Sequence, residues 1–440
     1  MNHSKPNAER SPQLSRRFML SGVAGLGMVS LVASTSVQAR QNGMEPASKN
    51  AQDEAFWREI AADFDVSPEI TNLENGYWGI MSRPVLETYI DNTRKVNREN
   101  SHYARRGYKA DYQEIRRQVA QILGAKPSEI VVTRGATEAL QGLIGGYNKL
   151  LPGQAVMYAD LDYYSMKTAM DRLAVDRACD VVRLSIPEPT DYQGLLDFYQ
   201  NALDANPKVK LLLLTQIGHR TGLQIPVREV TEMARKAGVD VIVDAAHSFG
   251  QMDIKIEDIG ADFIGFNLHK WIGAPIGVGV MYIREDRLED IRPNLSSEGD
   301  ELLHTEGRIH TGTVNFAAMM SIPAALAYRR QIGGQRIEAR LRYLRQIWVD
   351  EVGDLDAVQV LTPPDERLHA GITSFRLGGK TSTKDNKAIA EQLLQEHGIF
   401  TVYRGGVAHG DCVRVTPAIY NNADQVHRLA IALRKMAKHL

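Results

Sequence analysis

Between about residues 115 and 285, short apolar runs alternate with stretches of helical spacing, and this alternation constrains the fold more than any other feature of the chain. The apolar runs are "EIVVT", "AVMYA", "DVVRLSI", "VKLLLLTQI", "VDVIVDAA", "DFIGFNL" and "GVGVMYI". Between them, "TEALQGLIGGYNKLL" and "VREVTEMARKAG" repeat their apolar residues at helical intervals, and the second closes at Gly238, a residue suited to a helix C-terminus. Strand and helix in alternation predict an α/β fold with a mainly parallel sheet flanked by helices. Seven runs make a seven-stranded sheet and one large domain, placed at 111–290. Beyond residue 290 the pattern changes to long amphipathic stretches such as "GGQRIEARLRYLRQIWVDEV" and "NADQVHRLAIALRKMAKHL", mixed with the short runs "ITSFRLG" and "CVRVTP". They predict a smaller α+β domain at 291–440, to which residues 54–110 contribute from the N-terminal side.

The chain has 440 residues, 43% of them apolar, enough to bury a core in more than one domain. Its formal net charge of -1 provides no basic field for nucleic acid. Two cysteines, Cys179 and Cys412, are too few for a disulfide framework or a cysteine metal site, and their roles stay open. The N-terminus is distinctive. In "SPQLSRRFMLSGVAGLGMVSLVASTSVQAR", Arg16 and Arg17 precede a weakly apolar run that ends in small residues. This reads as a twin-arginine export signal over residues 1–39, with Met19 standing where Phe is usual. The run is shorter than the roughly 20 residues a spanning helix needs. Residues 40–53 read as a polar linker. The expected location is periplasmic or secreted, reached through the twin-arginine export machinery.

Two of the apolar runs end in titratable groups: "VDVIVDAAHSFG" in Asp244 and His247, and "DFIGFNLHKW" in Asn267, His269 and Lys270. Ionised side chains are costly to bury unless something pairs with them. In open α/β sheets ligands sit beyond the carboxyl ends of the strands, where these groups fall. A lysine whose pKa is lowered by burial and neighbouring cations forms an imine with an aldehyde. An aspartate facing it holds a pyridinium nitrogen protonated, the arrangement that makes pyridoxal 5'-phosphate (PLP) an electron sink. Taken singly, Lys270 is a surface lysine, His269 a core histidine and Asp244 a cap; their joint placement carries the inference. In "VVTRGATEAL", Gly135, Ala136 and Thr137 end a strand and open a helix, a start whose N–H groups suit a phosphate. By contrast, "LGGKTST" has Ser374 at the first glycine position of a phosphate loop and is set aside. His219, His247 and His269 lack the helical spacing of metal ligands, so no metal is expected.

With "GATEA", "DAAHSFG" and "FNLHKWIGAPIGVG" in that order, residues 70–435 resemble the class V aminotransferases of PLP-dependent transferase fold type I. That group includes cysteine desulfurases, kynureninases and isopenicillin-N-epimerase-like proteins. The resemblance implies PLP as cofactor, Lys270 as the Schiff-base lysine, and Asp244 at the pyridine nitrogen. It implies His247 and His219 near the ring hydroxyl, and Asn267 and His269 at the phosphate with Ala136 and Thr137. It places Tyr164, in "DLDYYSM", where the family stacks an aromatic ring on the cofactor. Thr313, in "HTGTVNF", matches a residue that reaches the partner subunit's phosphate in relatives, which implies a homodimer with a shared active site. Arg414 aligns with the arginine that binds an amino acid's carboxylate, and Arg404 is a second candidate. "LENGYWGIM" and "SHYARRGY" resemble substrate-side segments of the epimerase-like branch, so Asn75, Tyr77, Arg105 and Arg106 are candidates for the entrance. The loop "GGVAHG" holds no thiol where desulfurases carry their nucleophile. What the resemblance implies is an exported enzyme acting on a small-molecule or peptide amine next to a carboxylate, with transamination the plainest outcome. Epimerisation, decarboxylation or loss of a side-chain group stays open, including tailoring of a secreted peptide or siderophore, as in periplasmic pyoverdine-modifying relatives. A rival is a ligand-binding protein that keeps the fold without turnover, against which the intact Lys270 and Asp244 stand.

Overall fold

All seven apolar runs pair into one sheet in the computed structural model, which describes residues 50–439. The expected export signal and residues 40–49 of the expected linker lie outside the described residues. Strand β1 (Thr71–Asn72) belongs elsewhere. The sheet comprises β2 (Ile130–Thr133), β3 (Ala155–Ala159), β4 (Asp180–Leu184), β5 (Val209–Thr215), β6 (Asp240–Asp244), β7 (Phe263–Asn267) and β8 (Gly279–Ile283). Its strand order is β2-β8-β7-β6-β5-β3-β4. The pairs from β7 through to β4 are parallel, and only β8 runs against its two neighbours. The fold is therefore α/β with a mostly parallel central sheet.

The central strands read as unbroken apolar runs because both faces of the sheet are covered. Along β5 the side chains divide by the two-residue period: Leu212 and Leu214 enter one core cluster, Leu211 and Leu213 the other. The helix Ala136–Gly146 buries Ala136, Ala139, Leu140, Leu143 and Ile144, the one-face spacing of an amphipathic helix. Two glycines let its start sit close to the strands. A Cβ on Gly265 would come 2.6 Å from Leu140, and one on Gly279 would come 2.5 Å from the Gly135 backbone.

Further along the chain lie β9 (Val358–Val360), β10 (Thr373–Leu377), β11 (Ile399–Phe400), β12 (Val402–Arg404) and β13 (Cys412–Val415). Four of them form an antiparallel sheet, β12-β13-β10-β9. It shares a core with the helices Gly334–Val352 and Ala423–Ala437, in which Trp348, Phe375, Val413 and Leu429 are buried. Strand β1 pairs in parallel with β11, and the chain continues extended: the Thr416 N–H donates to Leu73 O at 2.7 Å, and Asn75 N–H to Thr416 O at 3.2 Å. That thread delivers residues 74–78 to the carboxyl edge of the large sheet. All described residues fall within one compact unit.

Candidate active site

Because only β8 is reversed, β2, β3, β5, β6 and β7 finish at one edge of the sheet, above which lies an open cleft of about 1120 Å³. Lys270, on the turn after β7, places its Nζ 3.0 Å from His247 Nε2. On the far side of that ring the Trp271 indole N–H donates to His247 Nδ1 at 3.3 Å. An indole nitrogen only donates, so Nδ1 carries no proton and a neutral ring keeps its proton on Nε2. His247 then donates to Lys270, which accepts only as a free amine. The electrostatics agree. Burial pulls Lys270 down to about 7 against the opposing pull of Asp244, and Arg414 and Arg404 lower it further. Burial and the nearby Lys270 hold His247 well below its usual 6.5. Asp244, buried at the end of β6, accepts the Ala246 N–H at 2.9 Å; burial raises its pKa, opposed by that bond and by Lys270.

Gly135 and Ala136 open the helix behind β2. Asn267, expected at the phosphate, lines the cleft and accepts the Ala136 N–H through Oδ1 at 2.8 Å, which fixes the helix start. The first-turn N–H groups that follow have no partner within the helix and face the cleft beside the exposed Thr137. His269 donates its Nδ1 proton to Val278 O at 2.9 Å, and its pKa is lowered, chiefly by burial. A Cβ on Gly135 would lie 3.3 Å from both Asn267 Oδ1 and His269 Cε1, filling this cradle. Tyr164, 58% exposed, stands over the cleft with its ring 4.7 Å from that of Tyr163, which in turn lies edge-on to His219 at 5.0 Å. Sequence reasoning named one tyrosine of this pair; both line the cleft. His219 Nδ1 and Thr215 Oγ1 are buried without a partner in the protein, and both residues line the cleft. Burial, with Arg220 and Arg414 nearby, holds His219 well below 6.5.

At the other end of the cleft lie Arg404 and Arg414. Arg414 donates to His219 O at 2.6 Å and pairs with Glu74, which also pairs with Arg404 at 3.3 Å. Sequence reasoning missed Glu74 and named its neighbour Asn75, whose side chain points away, donating to Thr416 O at 2.9 Å and accepting from Tyr420. Tyr77 is 69% exposed at the rim. Arg105 and Arg106 are exposed at a helix end and do not line the cleft. Thr313 is exposed and does not line its own chain's cleft.

The sequence pattern described as aminotransferase class-V matches residues 82–429. The chain belongs to the class V aminotransferase family. Isopenicillin N epimerase of Streptomyces clavuligerus is 25% identical to it over 86% of this chain and 98% of that protein. Among solved structures, the apo cysteine desulfurase of Thermococcus onnurineus NA1 superposes with a TM-score of 0.75 at 24% identity, covering 87% of this chain and 98% of that one. A C-DES variant with glycine covalently linked to its PLP cofactor superposes with a TM-score of 0.71 at 20% identity, covering 83% and 96%. Class V enzymes are PLP-dependent, and this cleft fits the cofactor. The helix start at Ala136 and Thr137 suits the phosphate, to which His269 adds a donor once its Nε2 is protonated, Asp244 suits the ring nitrogen, and Tyr164 the ring face. The partnerless His219 Nδ1 and Thr215 Oγ1 supply polar atoms that want a ligand, and Lys270 supplies a free amine for the aldehyde.

Proposed function

We propose that this class V enzyme acts on an amino group next to a carboxylate, by transamination, as an exported homodimer. The observation that carries the reading is a single cleft in which a free-amine Lys270 lies between a buried Asp244 and an arginine pair. Arg414 and Arg404 hold the substrate carboxylate, which sets the orientation of the adjacent Cα–H bond. Lys270 Nζ, about half of it neutral at pH 7, takes the proton from that carbon as general base and returns it during product formation. Asp244 keeps a ring nitrogen protonated, and His247 donates from Nε2. PLP, when bound, supplies the electron sink for the charge left at Cα.

Desulfurisation is disfavoured by the chain's own thiols. Cys412 is buried in β13, with burial pushing its pKa up to about 11, and its Sγ faces the carbonyls of Arg220 and Arg404. Epimerisation is the second reading, favoured by the likeness to isopenicillin N epimerase over 98% of that enzyme. Export rests on the twin arginines before the apolar run, and dimerisation on Thr313, exposed outside its own cleft. The test is the visible spectrum of purified protein before and after adding L-glutamate, L-alanine and a panel of other amines, with assay for keto acid. Conversion to the pyridoxamine form with keto acid appearing supports transamination. Solvent deuterium entering recovered amino acid without keto acid supports epimerisation. A cleft that takes up no PLP overturns the reading of Lys270.

A further inference from the structure

Glu74 is a buried acid that the reaction outlined above does not use. Its side chain is 8% exposed and bridges both arginines through Oε1, while Thr416 Oγ1 donates to Oε2 at 3.3 Å. Strand register explains the assembly. In the β12–β13 pair Arg414 lies opposite Val402, and Arg404 is two residues further along β12, so both arginines project from one face as diagonal neighbours. Thr416, two residues beyond Arg414, bridges to Glu74 through the backbone. Gly76 completes the arrangement, since a Cβ there would come 2.7 Å from Arg414 Nη2. Glu74 and the two guanidinium groups it bridges carry one net positive charge between them. Arg404 and Arg414 each keep a buried Nε with no protein partner.

Resting on the reading of this arginine pair as the substrate's carboxylate seat, we propose that Glu74 is a specificity-determining residue. It cuts the seat to one net positive charge, so the site takes amino compounds that present a single carboxylate and turns away free dicarboxylates. A second carboxylate entering the seat would be desolvated without a further unpaired guanidinium to answer it, since Arg220, also on the cleft wall, is held by the Asp160 carbonyl. The substrate class is then a monocarboxylate amine: a neutral amino acid, or a peptide-borne amino acid whose other carboxyl is tied up as an amide.

The test uses PLP-loaded protein and two probes, acetate with one carboxylate and succinate with two, titrated while following the absorbance of the lysine-bound cofactor. The wild type binds succinate no more tightly than acetate. In Glu74→Gln the seat carries two positive charges, and succinate gains on acetate by about tenfold at low salt. Glu74→Asp keeps the charge and keeps the wild-type ratio. A general loosening of the cleft would weaken both probes together, so the ratio isolates charge from folding. An unchanged ratio in Glu74→Gln, with both anions still binding, overturns the role of Glu74 alone. Failure of both anions to bind any of the three proteins overturns the carboxylate seat itself, and the role of Glu74 with it.

Discussion

An amine held neutral at physiological pH reacts with aldehydes far faster than an ordinary lysine, and Lys270 provides the measurement. With its pKa pulled down to about 7, half of the Lys270 amines are free at pH 7. For a lysine near 10.5 the free fraction is roughly one in three thousand, so population alone favours Lys270 by about a thousandfold. The assay is reductive trapping of unphosphorylated pyridoxal on PLP-free protein, with the modified lysine located by peptide mass. Trapping at Lys270 rises with pH up to about 7 and is then flat, whereas an ordinary lysine keeps rising through pH 9. Asp244→Asn removes the carboxylate that favours the ammonium form and moves the break to lower pH; Arg414→Gln removes a cation and moves it higher. A rate at Lys270 still climbing at pH 9, or a break that moves upward in Asp244→Asn, refutes the argument.

The same shift has a consequence for stability. Between about pH 7 and 10.5 the unfolded chain holds a proton on Lys270 that the folded, PLP-free protein has lost, so unfolding takes up a proton and stability rises with pH across that window. The penalty is fully present below pH 7 and gone above 10.5. Lys270→Met therefore raises the Tm of PLP-free protein more at pH 6 than at pH 9, and an equal rise at both refutes the assignment.

Removing the indole donor in Trp271→Phe frees His247 to change tautomer and costs a neutral hydrogen bond worth about 1 kcal/mol, so PLP affinity falls about fivefold by equilibrium dialysis. Gly76→Ala pushes a methyl group onto an Arg414 guanidinium held between His219 O and Glu74, so acetate binding weakens by about tenfold or more while PLP loading, read by absorbance, is kept. His269 donates its Nδ1 proton to Val278 O, so it gives a hydrogen bond to an anion only after a second proton reaches Nε2. Sulfate, whose charge is constant over the range, therefore binds PLP-free protein more tightly as pH falls through the acid range in which His269, its pKa lowered by burial, takes up that proton, and His269→Gln removes that part of the pH dependence in calorimetric titration.

The large sheet was legible because its strands, apart from the half-exposed edge strand β4, are buried on both faces and read as apolar runs between helical stretches. Burial alone encodes such runs, and no knowledge of partners is needed. The ends of β6 and β7 were legible for the opposite reason: Asp244 and Lys270 are groups an apolar run would not carry without a task. The short strands β9, β11 and β12 were not legible, because two or three residues have no period to read. The bond from Ala136 N–H to Asn267 was not legible because it joins residues 131 apart in sequence, a contact fixed by the neighbouring turn and not by its own run.

The exchange of Glu74 for Asn75 shows where such reading runs out. In an extended segment consecutive side chains point to opposite sides, so choosing between neighbours in "LENGY" amounts to choosing a register. Nothing within the segment sets it. The register is set by main-chain bonds to Thr416, one of them joined by Asn75 Nδ2 across 341 residues. Those bonds turn Asn75 into the core beside Tyr420 and turn Glu74 toward Arg404 and Arg414. A one-residue slip would bury the carboxylate against Tyr420 and leave two guanidinium groups facing each other uncompensated, which like-charge repulsion in a partly desolvated site strongly disfavours. The charge pattern of the cleft therefore helps hold the thread in register, and the thread in turn fixes the charge of the cleft. The groups of the lysine end are written locally, at and just beyond the ends of β6 and β7. The selectivity of the arginine end exists only once residue 74 has met residues 404, 414 and 416.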